Sequence, residues 1–253
     1  MKTYQEIQST SYRWFDVMLM LLSCVAGSTD IISYYRLGHV FTANMTGNVI
    51  LLGISIGQGE LSTSLYRVAS FAGFFAGVFI GALIVENKSK KKKWPYFVMV
   101  ATVVESAIIA TLAIIWLAHD GPLKNSILYI AILLSAISMS IQSATIWHLD
   151  IPGVVTTFIT GNITSIGMSA IKGLRRGFKK DIKTSASIIP FIRNPENRIE
   201  LQLLVLGTYI FSAIFTGWME HHGPRFLPLL PLVLILGVVA ILWKHIKKIS
   251  LNE

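Results

Sequence analysis

At 253 residues, with 53% hydrophobic and only 14% charged side chains, the chain is far more apolar than a soluble domain, which carries about a quarter charged residues. Its mean hydropathy of +0.61 comes from recurring long apolar runs, which read as a polytopic membrane protein whose first partner is the lipid bilayer. A formal charge of +9 would suggest nucleic acid in a soluble chain. Here the Lys and Arg residues gather between the apolar runs, so membrane orientation accounts for them and no nucleic acid is expected. The single cysteine, Cys24, excludes an intrachain disulfide and a cysteine-based metal cluster.

Residues 14–35 read as a first span. Leu21-Leu22-Ser23-Cys24 imitates a lipoprotein cleavage box, but the apolar run continues to Tyr35, long enough to cross, so a retained helix is expected. Asp30 lies in its second half. Arg36 and His39 lead into 41–57, which opens Phe41-Thr-Ala-Asn-Met-Thr-Gly-Asn48. Residues 66–86 form the next span, with Gly73, Gly77 and Gly81 at four-residue spacing, a face that lets helix backbones touch. Five lysines follow within 88–93. Pro95 opens a span to Ala118 that carries Glu105, and 126–149 spans again with Gln142 inside. After Pro152-Gly153 comes Thr156-Thr-Phe-Ile-Thr-Gly-Asn162, then a basic stretch from Lys172, a polar segment over 184–200 and two last spans at 201–219 and 226–246.

Thr42, Thr46, Gly47 and Asn48 thus recur as Thr156, Thr160, Gly161 and Asn162. The likeness extends further: Phe75-Ala-Gly-Val-Phe-Ile-Gly81 matches Phe211-Ser-Ala-Ile-Phe-Thr-Gly217, so Ala213 and Gly217 are expected to pack as Gly77 and Gly81 do. One transmembrane domain follows, with repeat A over about 14–118, repeat B over about 126–246 and a basic cytoplasmic loop at 172–199.

Charge decides between topologies. If the two Thr-Gly-Asn segments do not cross, six spans remain, and with the N-terminus inside, 18 of 22 Lys and Arg residues are cytoplasmic, leaving Arg36, Arg67, Lys124 and Arg225 outside. Eight spans place at best 15 inside and strand the lysine cluster outside. The expected fold is therefore an all-α transmembrane bundle of two inverted repeats, six spans plus two re-entrant or short helices, with eight spans as the alternative. The matching location is a bacterial cytoplasmic (inner) membrane with both termini cytoplasmic.

Asp30 and Glu105 are the acids well inside expected spans. Such groups face a cavity, a partner or the bundle interior. Each suits a coupling proton or cation, or else a hydrogen bond to a neighbouring helix. Asn44, Asn48, Asn162 and Gln142 offer amides that could replace the hydration shell of a small solute or ion, or simply join helices. Gly47 and Gly161 could break a helix or permit close packing. His221-His222, expected in a short outer loop, has no further ligand at helical spacing, so neither metal nor cofactor is expected, and no catalytic set is visible that would make the chain an enzyme.

Ala26-Gly27-x-x-Asp30 followed by Phe41-Thr-Ala-Asn-Met-Thr-Gly-Asn48 resembles the YoaK-like family of bacterial integral membrane proteins, as does Gln142-Ser-Ala144 followed by Thr156-Thr-Phe-Ile-Thr-Gly161. Glu105 after the basic loop also fits the family pattern. Ser143 departs from it, standing where Asn would follow Gln142, and 175–198 is longer than usual. The resemblance spans nearly the whole chain and implies a membrane class without naming a chemistry. The expected function is a small-solute or ion permease with a polar path through Asp30, Asn44, Thr46, Gly47, Asn48, Glu105, Gln142, Thr160, Gly161 and Asn162. The rival is a scaffold or assembly factor whose polar motifs only lock helices. A homodimer joined through the glycine face is also plausible.

Overall fold

A computed structural model describes residues 12–86, 94–119, 122–149, 151, 154, 156–157, 159–180 and 199–250. The lysine cluster 88–93, Pro152-Gly153 and the 184–198 segment expected as loop lie outside the described residues.

The described chain is helical: α1 Tyr12–Arg36, α2 Met45–Gly57, α3 Leu61–Val85, α4 Trp94–Ala118, α5 Asn125–His148, α6 Ile159–Lys180, α7 Ile199–His222 and α8 Leu229–Ser250, with a 3-10 turn at Pro224–Phe226 between the last two. Among the described residues, six helices are long and apolar enough to cross a membrane: α1, α3, α4, α5, α7 and the stretch Pro224–Lys248 that carries α8. The 13-residue α2 is only about 20 Å long, short of the ~30 Å hydrocarbon layer. The second half of α6 carries the basic residues that begin at Lys172, so that stretch is helical as far as Lys180.

Two expected positions shift with these boundaries. Because α3 starts at Leu61, Arg67 is a buried helix residue, not an outer loop charge; its guanidinium Nη1 donates to Thr63 O at 2.5 Å. His221 and His222 close the last turn of α7 and are not in a loop.

The most deeply buried spans, α1 and α5, form the centre. α7 and α8 pack on α1, α3 and α4 pack on α5, and α4 meets α8 on the far side. Short α2 lies on α3, and α6 lies on α7. The core forms three layers along the bundle. Met18, Leu22, Val98, Ile146 and Leu242 fill one end, Val25, Ala26, Ile109, Met139 and Ile235 the middle, and Leu37, Leu128, Ala131 and Ile132 the other end. At the first end Trp14 stacks on His245 with centroids 4.1 Å apart. At the other, Arg36 pairs with Glu220 and lies 5.4 Å from the Trp116 ring centre. Phe75, Phe79 and Leu83 of α3 and Phe211, Ile214 and Trp218 of α7 face outward, where lipid is as good a solvent as a core.

The glycine face of α3 is used within the chain. A Cβ on Gly73 would stand 2.7 Å from Leu133 O, and one on Gly77 would stand 2.5 Å from Ile137 O and collide with the Ser140 hydroxyl. One on Gly81 would stand 2.8 Å from the Ala144 Cβ. The α3–α5 seam therefore occupies the face expected for a second copy. The matching seam is built differently. Gly217 has nothing within 4 Å of its Cβ position, and the tight glycine is Gly27 of α1, whose Cβ would meet Tyr209 O at 2.7 Å and clash with Ser212 Oγ. Ser212 and Thr216 are buried in α7, so its packed face is turned by one residue from the Ala213–Gly217 pair that the sequence likeness suggests.

Candidate functional site

After α1 the chain turns through Gly38 (φ +74°), packed against the Tyr66 ring, and His39 (φ +56°). It then runs back into the bundle as an irregular strand over 40–44 before α2 carries it out again. Depth follows from α3: Asn48 bonds to Ser70, nine residues from Leu61 and hence about 13 Å inside that helix end, while Ser64 bonds to Ser55 near the mouth. This is a re-entrant hairpin.

Irregular backbone at such depth survives only if its polar groups are satisfied by protein. Here side chains take up the amides of 41–44 and the Phe41 carbonyl. Asp30 Oδ1 accepts from the Thr42 and Ala43 amides at 2.8 and 2.7 Å and lies 3.4 Å from that of Asn44. Asn48 grips Phe41 from both sides: its Oδ1 accepts from Phe41 N at 2.8 Å and its Nδ2 donates to Phe41 O at 2.6 Å. Ser70 Oγ donates to the same carbonyl at 2.8 Å. Tyr209 of α7 donates its hydroxyl to Asp30 Oδ2 at 2.8 Å, so the first segment is tied to the far half of the molecule. Asn44 caps α2, accepting from Gly47 N at 3.3 Å, and a Cβ on Gly47 would press on the Phe41 ring at 2.8 Å.

The second segment is held by an amide. Gln142 Nε2 donates to Thr156 Oγ1 at 2.9 Å and to Leu22 O of α1 at 3.0 Å. Ser143, next along α5, shares a 2.8 Å hydrogen bond with Thr157. The two copies carry one burial pattern: Thr42 and Thr156 buried, Thr46 and Thr160 exposed, Gly47 and Gly161 half-buried, Asn48 and Asn162 buried. Thr42 lies between Ser33 of α1 and Ser135 of α5, at 3.3 and 3.2 Å. Both threonines thus abut the α1–α5 pair. Their contacts on α5, Ser135 and Gln142, are seven residues or about 10 Å apart. Asn48 and Asn162 sit on different flanks, one beside α3 and the other on the helix that packs on α7. Glu105 is 1% exposed, on the face of α4 that also buries Ala101, Thr102, Ser106 and Ile109.

A family model described as "Protein of unknown function (DUF1275)" matches residues 18–242. The chain belongs to this family. It is 35% identical over 231 residues to the UPF0700 transmembrane protein YoaK of Bacillus subtilis (strain 168), covering 91% of this chain and 95% of that relative. No solved structure matches it. In this DUF1275 member the Ser143 departure keeps a role, since serine still reaches Thr157. Sequence reasoning missed Tyr209, Ser33, Ser70 and Ser135, which complete the first clasp. The signal for one of them was present: α5 carries Ser135, Ser138, Ser140 and Ser143 beside Gln142, a density of hydroxyls that an apolar span does not need for solubility.

Proposed function

We propose that the chain is a small-solute or ion permease of a bacterial inner membrane, with both termini cytoplasmic and its path beside the tips of the two Thr-Gly-Asn segments. The observation that carries this reading is the re-entrant hairpin: irregular backbone at depth, clasped by Asp30 and Asn48, is the arrangement by which discontinuous segments bring backbone groups to a solute. The inverted repeat belongs to the same reading. It is supported by the burial pattern of the two motifs and by the packing order, in which α1–α7 answers α5–α3, α1–α8 answers α5–α4, and α2–α3 answers α6–α7. In this reading the chain is not an enzyme.

The test is flux. Purified protein in vesicles of defined orientation is challenged with a panel of inorganic ions and small neutral solutes on a supported-membrane electrode and by light-scattering shrinkage. A response above protein-free vesicles, reduced by Asn48→Ala and Asn162→Ala in variants that still insert and elute as one species, supports the path. Silence of the wild type across the panel counts against it. Orientation is tested by single-cysteine labelling at Lys90 and Lys179 in a background without Cys24; reaction of either with an impermeant reagent from outside overturns the cytoplasmic placement.

A second reading, a non-transporting membrane scaffold, rests on a specific observation. Asp30, Asn48 and Gln142 direct their hydrogen bonds at the chain's own backbone and hydroxyls, as helix-locking groups do. Under it, substitutions lower abundance and leave no flux to lose.

A further inference from the structure

The buried polar atoms of the described residues that have no hydrogen-bond partner include three oxygens on neighbouring helices: Glu105 Oε1, Ser138 Oγ and Gln142 Oε1. Their residues are 1%, 0% and 1% exposed. Buried polar groups are almost always paired, and a buried carboxyl is the costliest to leave alone. The three come from two helices packed side by side. α4 and α5 run antiparallel: Leu112 and Ile115 pack with Leu128, Ala131 and Ile132 at one end, and Val98 packs with Ile146 at the other. That register sets residue 105 level with residue 138, and Gln142 follows one turn along α5.

The level matters. Ser135 receives the first segment through Thr42, and Gln142 receives the second through Thr156. Ser138 lies between them, so Glu105 stands at mid-depth between the two tips. A cavity of about 40 Å³ opens on the same seam one turn outward, lined by Thr29, Ile109, Leu112, Ala131 and Ser135 and continuing toward Trp116 and Pro228. It is large enough for water.

We propose that Glu105, Ser138 and Gln142 form a binding site for a small monovalent cation, a proton or Na+, that neutralises the carboxyl. All three unpaired atoms are oxygens, the donor type that hard cations take, and the amide is held with its oxygen free because its nitrogen is committed to Leu22 O and Thr156. Among the described residues, no fixed cation pairs with Glu105. The titratable groups of α5 are Tyr129 near its start and His148 at its end, with Lys124 just before it, and those of α8 are Lys244, His245, Lys247 and Lys248 in its last turns. At the level of Glu105, α8 presents Ile235 and Val238. On α1, Asp30 is turned to the 42–44 amides and Tyr209, Cys24 to Thr208 O, and Arg36 to Glu220. On α3, Arg67 donates to Thr63 O, the Tyr66 ring packs at a tilt against Tyr129, and Glu86 lies beyond the helix end.

The site stands whether or not a solute crosses the molecule, and its test is separate from the flux test. The full chain in detergent is melted from mildly acidic to mildly alkaline pH at constant potassium, then in Na+ replacing K+ at the alkaline end. Removing the cation leaves a buried charge uncompensated. The wild type is therefore expected to melt lower as the cation is withdrawn, by about 2–4 °C or more. Glu105→Gln should be flat in both titrations. Rescue by Na+ that Ser138→Ala weakens identifies a Na+ site; a response to pH alone identifies a proton site. Wild type and Glu105→Gln that track each other in both titrations overturn the proposal. If Glu105→Gln does not fold, the wild type is treated with an apolar carbodiimide and mapped by mass spectrometry. Modification at Glu105 that falls with rising pH or with added Na+ supports the site. No modification, or modification indifferent to both, overturns it.

Discussion

The two Thr-Gly-Asn segments share one sequence core and one burial pattern, and the contacts of their described residues run through different groups. The first is clasped by a carboxyl oxygen that gathers two or three backbone amides, with an asparagine closing both sides of Phe41 and a tyrosine from α7 behind the acid. In the second, the Thr156 hydroxyl accepts from the Gln142 amide and the Thr157 hydroxyl shares a hydrogen bond with Ser143. The helices that follow differ as well: α2 is short and apolar, whereas α6 is 22 residues long and basic in its second half. A fixed backbone turn needs an acceptor with spare lone pairs, and a carboxyl group supplies it. A seam between side chains needs only single hydrogen bonds. Substitutions in the backbone clasp around Asp30 should therefore cost more than substitutions in the described seam of Gln142 and Ser143.

The sharpest contrast is between glycines. Gly77→Leu must displace backbone of α5 and is expected to abolish folded protein, seen as loss of the monodisperse peak in detergent size-exclusion chromatography. Gly217→Leu, the sequence match of Gly81, enters open space and should leave that peak intact. Equal loss from both would mean that the α7 surface is covered by something other than lipid.

Next in size is the clasp. Asp30→Ala strands two buried amides, each worth about 1–3 kcal/mol, so a loss of about 2–6 kcal/mol is expected in a thermal melt. Gln142→Ala leaves Leu22 O and Thr156 without one donor and should cost about 1–3 kcal/mol. A larger loss from Gln142→Ala would reverse the ranking of the two segments. Asp30→Asn keeps an oxygen toward the amides and should be far milder in stability than Asp30→Ala. If Asp30→Asn also abolishes flux in a stable protein, the acid works in transport as well as in shape.

Tyr209→Phe removes one hydrogen bond behind the clasp and is expected to cost about 0.5–1.5 kcal/mol by the same melt. The smallest effect belongs to Ser143→Ala, which removes the half-buried link to Thr157 at about 0.5–1 kcal/mol. An effect of Ser143→Ala as large as that of Asp30→Ala would show the second segment to be organised by its hydroxyl pair.

Much of this protein is fixed by local properties of the chain. Apolar runs long enough to cross a bilayer mark the spans because lipid offers no hydrogen bonds, and helix is the structure that satisfies its own backbone. The recurrence of Thr-Gly-Asn and the burial of Asp30, Asn48, Gln142 and Glu105 were legible for the same reason: polar groups in an apolar run must be doing something costly. The tertiary structure alone decided what Asp30, Asn48 and Gln142 touch. Whether Asp30 faces a solute or three backbone amides depends on where residues 42–44 return, and that depends on a turn at Gly38-His39 and on Ser70 across the groove. Tyr209, 179 positions along the chain from Asp30, has no local signal at all. Gly81 and Gly217 look alike in sequence because spacing records only which side of a helix a residue is on. Which neighbour lies on that side is a property of the packed bundle, and of the two only Gly81 meets another helix.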